Sequence, residues 1–210
     1  MLLSAGSNAH GQLANGSLDD SHFFPPCCFS GCAPGTLPAG RTLLHLEFGA
    51  NHTLALLKFS ENGTTELWGC GDGTAGQLSP SYDLADDSDG TVFRPLDLTL
   101  ERHGLEGHLP RLVAASWETT YVVLSRQAMP DVLVSMGGDD FGDLGIGAKL
   151  AGKSPAKNII HTVRFDHLEQ NGVAVDEDSL LVESLAAGQH HAVVRLTTAG
   201  CLTGLLDMGS

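Results

Sequence analysis

Leu2-Leu-Ser-Ala-Gly6-Ser-Asn8-Ala-His-Gly11-Gln-Leu13 is a pattern that this chain writes again and again. It returns as Glu66-Leu67-Trp68-Gly-Cys-Gly71-Asp-Gly73-Thr-Ala-Gly76-Gln-Leu78 and as Leu133-Val-Ser-Met-Gly137-Gly-Asp139-Asp-Phe-Gly142-Asp-Leu144, and it starts once more at Leu205-Leu-Asp-Met-Gly209-Ser210. The anchor glycines stand 65, 66 and 72 residues apart. A unit that recurs at such spacing and cannot bury its own apolar face must stack on its neighbours, so the repeat decides the architecture.

A second element travels with the first. It reads Leu46-Glu-Phe-Gly49-Ala-Asn-His52-Thr-Leu-Ala-Leu-Leu57, then Val113-Ala-Ala-Ser116-Trp-Glu-Thr119-Thr-Tyr-Val-Val-Leu124, then Leu185-Ala-Ala-Gly188-Gln-His-His191-Ala-Val-Val-Arg-Leu196. Each unit thus holds a short apolar run, a Gly or Ser break, a β-branched or aliphatic run, a polar turn such as Glu61-Asn62-Gly63, and a third apolar run into the glycine motif. These are strands joined by tight turns, with no convincing helical period between them. The pattern predicts an all-β fold with about four antiparallel strands per repeat, the blade of a β-propeller. One region, 1–210, divides into units of roughly 1–42 (partial, with an insertion), 43–110, 111–180 and 181–210 (partial).

Composition agrees, since 26 glycines supply turns and 42% hydrophobic residues supply cores between sheets. The first 20 residues hold no long apolar stretch and nowhere do 18 apolar residues run together, so neither a signal peptide nor a membrane span is expected. The expected location is the cytoplasm and/or the nucleus. A net charge of −14 with only 11 Lys and Arg argues against direct nucleic-acid binding, which relies on clustered basic residues. The acidity gathers in Asp83-Leu-Ala-Asp86-Asp87-Ser-Asp89 and Asp176-Glu177-Asp178, which read as solvated loops or as docking sites for a basic partner.

Several local strings invite sharper chemistry. Gly71-Asp-Gly73-Thr-Ala-Gly76 spells a dinucleotide-binding G-x-G-x-x-G after an expected strand, but that chemistry needs a helix to open there and face the phosphates. The chain continues Gln77-Leu-Ser-Pro80, broken by proline. Aligned with the other copies, Gly6, Gly11, Gly71, Gly76, Gly137 and Gly142 read as structural turns. Cys27, Cys28 and Cys32 cluster without the paired spacing of a zinc ribbon, and read as structural thiols on an extended insertion that packs on a blade edge. His52 and His191 share one repeat position, with Thr119 in the middle copy, where an imidazole can bond a neighbouring turn. No catalytic constellation, cofactor motif or metal-ligand set assembles in its required context, so neither an enzyme, a cofactor nor a metal is expected.

The pairing of Gly-x-x-His-Thr/Ala before an apolar run with apolar-Gly-x-Asn-x-x-Gly-Gln-Leu resembles the repeat of the regulator-of-chromosome-condensation (RCC1-like) propellers. Three further strings are similar to the alpha-tubulin-suppressor-like branch of that family: Gly6-Ser-Asn8 near Met1, Gly69-Cys-Gly71-Asp72 running to Gly76-Gln-Leu78, and Trp117-Glu-Thr-Thr120. The resemblance implies a seven-bladed ring that works by binding proteins. For that branch it implies a small CSL-type zinc- or iron-binding partner, and a role in diphthamide biosynthesis and Elongator-dependent modification of wobble uridines in tRNA. For the founding member it implies nucleotide exchange on a small GTPase of the Ran type.

Loops between the first and second strands of successive blades converge on one face of such a ring. Ala50, Asn51, Trp117, Glu118, Gln189 and His190 are therefore the expected partner-binding residues, with Trp117 either a contact anchor or a wedge between blades. About three units fit the chain, against seven in the family's ring. The expectation is an open or incomplete arc with two raw edges, arising from a fragment or truncated reading frame or completed by assembly.

Overall fold

The computed structural model describes residues 1–82, 89–147, 159–170 and 172–198. The fourth glycine motif at Gly209 and the acidic run from Asp83 to Ser88 lie outside them. The strands are β1 (Arg41–Phe48), β2 (His52–Phe59), β3 (Thr65–Gly71), β4 (Arg94–Pro95), β5 (Leu109–Ala115), β6 (Thr119–Ser125), β7 (Val132–Gly137), β8 (His161–Thr162), β9 (Glu169–Gln170), β10 (Val173–Ala174), β11 (Leu180–Gly188) and β12 (His191–Thr198). They form two four-stranded antiparallel sheets, β1-β2-β3-β4 and β5-β6-β7-β8, and two hairpins, β9-β10 and β11-β12. The described residues contain only short 3₁₀ turns as helices, none long and apolar enough to cross a membrane.

Strands β2 and β6 are buried on both faces, which explains their unbroken apolar wording. Side chains alternate across a strand. In β2, Leu54 and Leu56 face a core shared with Val113, Val122, Leu124 and Met136 of the second sheet, while Ala55 and Leu57 face a core with Cys27, Phe29, Trp68 and Phe93. In β6, Val122 and Leu124 look back to the first sheet, and Tyr121 and Val123 pack toward Val182, Leu185 and Val194 of the β11-β12 hairpin. Each such aliphatic side chain contributes about 1.5–3 kcal/mol by leaving water. Strand β5 packs against β1, β2 and β3 on one side and against β11 on the other.

The N-terminal segment packs against the first sheet. Leu3 bridges Pro26, Phe29 bridges Phe93, and the Phe29 ring stacks on Phe93 at 4.7 Å and meets Trp68 edge-on at 5.6 Å. Cys27 and Cys70 are buried there as free thiols, and burial pushes both thiol pKa values up.

One irregularity recurs in all three first strands. The register skips Leu44 in β1, Arg111 in β5 and Glu183 in β11, a β-bulge at the same place in each repeat. Such a bulge re-aims the skipped side chain. The Arg111 guanidinium reaches Asp131 at 2.6 Å and the Val182 carbonyl of the hairpin, and Asp131 in turn accepts the Val182 N–H at 2.9 Å. Sheet and hairpin are thereby joined by charge-assisted bonds as well as by apolar contact.

Among the described residues, exposed apolar side chains lie at the two ends of this stack. Phe23, Phe24, Leu44 and Phe48 are exposed beside β1, and Leu181 and Val193 on the hairpin. The acidic turn Asp176-Glu177-Asp178 is more than solvated surface. Asp176 caps it by accepting the Asp178 N–H, and Glu177 pairs with Arg164 at 2.7 Å.

Candidate interaction surface

The loops after β1, β5 and β11 are built alike. Gly49 N–H donates to the His52 carbonyl at 2.9 Å and Ser116 N–H to that of Thr119 at 2.8 Å, and Gly188 pairs with His191. Each loop leaves two residues at its tip: Ala50-Asn51, Trp117-Glu118 and Gln189-His190. These tips are bonded to one another. Ala50 N–H donates to the Trp117 carbonyl at 3.2 Å, and Trp117 N–H donates to the Gln189 carbonyl at 2.9 Å. The structure therefore brings all six candidate residues into one continuous strip.

The glycine motifs support the strip from below. Gly71 and Gly137 have φ of +101° and +117°, and a Cβ on either would meet the Asn51 or Glu118 carbonyl oxygen at 2.2 or 2.1 Å. Only glycine combines that backbone with that closeness. The next residues, Asp72 and Gly138, donate their N–H groups to the same two carbonyls, each at 2.8 Å. Beyond the glycine, the Asn8 and Asp139 side chains accept the N–H of Leu13 and Leu144, at 2.9 and 3.0 Å, closing the turn. Gly11, Gly76 and Gly142 take positive φ in these turns. No helix opens over residues 77–82, so the G-x-G-x-x-G string is a strand-end turn.

Trp117 is 42% exposed and stacks on the His190 imidazole at 5.7 Å, which rules out a wedge between sheets. Phe141, 74% exposed, also meets the His190 ring, at 4.6 Å and tilted. Below them a small notch of about 20 Å³ is lined by Trp117, Glu118, Thr119, Gly138, Asp140, Asp143 and His190. Phe141 and Asp143 escaped the sequence reading. Both belong to the glycine motif, which was read as turn and not as surface.

His52, by contrast, belongs to the interior. It is fully buried, and its Nε2 lies 2.9 Å from the Thr120 hydroxyl on the next sheet, so its partner is a strand residue and not the turn expected. The first residue of each second strand sits where two sheets meet, and this places the ring between them. Burial lowers its pKa to about 4, and Nδ1 finds no hydrogen-bond partner. His191, at the same repeat position, is exposed. Among the described residues no three His, Cys, Asp or Glu side chains gather as a metal-ligand set.

Stacked antiparallel sheets with bonded loops define an all-β protein. Human WBSCR16, an RCC1-like protein of solved structure, matches with a TM-score of 0.57 at 16% identity, over 91% of this chain and 44% of its own. The chain thus spans less than half of that protein's length, and at this identity the likeness concerns the fold alone. No protein-family model matches the sequence, and no curated protein does.

Proposed function

We propose that this chain is a non-catalytic protein-interaction module, an arc of about three blades from a seven-bladed RCC1-type propeller, acting in the cytoplasm and/or nucleus. The observation that carries this reading is the hydrogen-bonded strip of three loop tips, with the half-exposed Trp117 at its centre. A rigid aromatic held by backbone bonds loses little entropy when a partner covers it.

The resemblance to the alpha-tubulin-suppressor-like branch extends the proposal to a partner. It is a small CSL-type zinc- or iron-binding protein, through which the chain supports diphthamide biosynthesis and Elongator-dependent wobble-uridine modification. The test is capture of such a recombinant protein by the full chain. Capture that disappears in Trp117→Ala, with circular dichroism unchanged, supports the reading; a parent chain that captures nothing overturns it.

A second reading is exchange on a Ran-like small GTPase. Glu118 at a loop tip and Asp143 beneath it favour this one, since carboxylates on such loops are what the family's exchange factor uses. Accelerated nucleotide release from the GTPase, lost in Glu118→Gln, would select it over the first.

A further inference from the structure

One position of the glycine motif departs from the repeat in a way that changes its charge. Gln12, Gln77 and Asp143 occupy equivalent places, each just before the motif's last leucine. All three side chains make the same local bond: an oxygen accepts the backbone N–H two residues earlier, from His10 at 2.9 Å, Ala75 at 3.0 Å and Phe141 at 3.1 Å. The remaining terminal atom is a neutral amide nitrogen in the two glutamines. In Asp143 it is a second carboxylate oxygen, Oδ1.

That oxygen has no hydrogen-bond partner, and the side chain is only 5% exposed. Gln77 Nε2 is also unbonded, but it is a neutral donor, whereas an ionised carboxylate is far more costly to leave bare. Among the described residues the cationic candidate paired with it, His190 Nδ1, stands 3.6 Å away, too far for a hydrogen bond. The notch beside Oδ1 carries two more carboxylates, Glu118 and Asp140, under the rings of Trp117 and His190. Acidic floor and aromatic wall together suit a cation. The notch, about 20 Å³, has room for one water-sized head group. A compact ammonium fits that space.

We infer that Asp143, with Glu118 and Trp117, is the receptor for a lysine ammonium group presented by a protein partner. The inference rests on the interaction surface proposed above and names the chemistry that its centre recognises. The ammonium donates to Asp143 Oδ1 while its aliphatic stem lies along Trp117, and Phe141 shields the pair from water.

The test uses the full chain and Nα-acetyl-lysine amide as probe, followed by tryptophan emission at low ionic strength. The chain's other tryptophan, Trp68, is buried. The expected result is a saturable change with the lysine probe and none with Nα-acetyl-norleucine amide, which lacks the charge. Asp143→Gln restores the residue of the other copies, keeps the bond to Phe141 N–H, and should weaken the probe at least tenfold. Glu101→Gln, at an exposed acid elsewhere, should leave it unchanged. A norleucine response, equal binding by Asp143→Gln, or no saturation at any pH would each overturn the receptor. Equal binding of Nα-acetyl-arginine amide would overturn the assignment to lysine. If partner capture still depends on Trp117 while the probe fails to bind, the interaction surface stands and the ammonium receptor falls.

Discussion

Gly49 lies beneath the imidazole of His52, so close that a Cβ on the glycine would stand 2.2 Å from Cε1 of the ring. The repeat keeps the pair matched. Where the ring is replaced by the smaller Thr119, Ser116 takes the place of glycine, and where the ring returns as His191, so does Gly188. Glycine is here a space requirement, set by the residue three positions on.

The two glycines should nevertheless respond differently to alanine. His52 is fully buried and cannot swing away, and the Ser116 carbonyl would also meet the Gly49 Cβ at 2.5 Å. At Gly188 the nearest atoms belong to the exposed His191 ring. Gly49→Ala is expected to cost about 2–3 kcal/mol and Gly188→Ala under about 1 kcal/mol. Urea unfolding at neutral pH compares them; equal losses would contradict the geometry.

Acid should destabilise the protein through His52. Its pKa falls from an ordinary 6.5 to about 4 in the folded state, so between those values the unfolded chain binds the proton more readily. The contribution is complete above pH 6.5 and is lost as pH falls toward 4, on the order of 3 kcal/mol in all. His52→Gln should flatten that part of the stability profile. A variant as acid-sensitive as the parent would place the effect elsewhere.

Removing Asp131 should loosen the β11-β12 hairpin before anything else. Its carboxylate, 7% exposed, holds Arg111, Ser125 and the Val182 N–H. Asp131→Ala strands a guanidinium and a backbone donor, at about 2–3 kcal/mol. Hydrogen exchange should quicken across Leu180–Thr198 and stay slow in β2; uniform quickening would argue for global unfolding instead.

Gly6 and Gly137 share a φ of +117°, but nothing lies within 4 Å of a Cβ on Gly6. Gly6→Ala should therefore cost only backbone strain, about 1–2 kcal/mol. Gly137→Ala must also push the Glu118 carbonyl aside, and with it Trp117. A shift of Trp117 emission in Gly137→Ala alone is the expected signature, and the same shift in both variants would refute it.

Strand order and loop positions were readable because both follow from periodicity. A β2 run of buried residues, the polar turn at Asn62-Gly63 and the glycine motif fix where strands start and stop, whatever their neighbours. Three features were not readable for a common reason: they depend on contacts that the linear pattern does not show. The recurrent bulge at Leu44, Arg111 and Glu183 shows only in the pairing register. His52 looked like a turn ligand, because nothing local says that Thr120 lies above it. Asp143 departs from the glutamine of the other copies, but the meaning of that departure comes from the rings of Trp117 and His190, which sequence places far apart.

The hydrogen bonds that tie the loop tips together run between peptide groups, with the Trp117–His190 ring contact added on top. Ala50 N–H to Trp117, and Trp117 N–H to Gln189, would form with almost any residues at those positions. The three tips already differ completely in chemistry, as Ala-Asn, Trp-Glu and Gln-His. Recognition is thereby separated from construction: mutation is free to rewrite what the strip binds without disturbing the frame that holds it in shape.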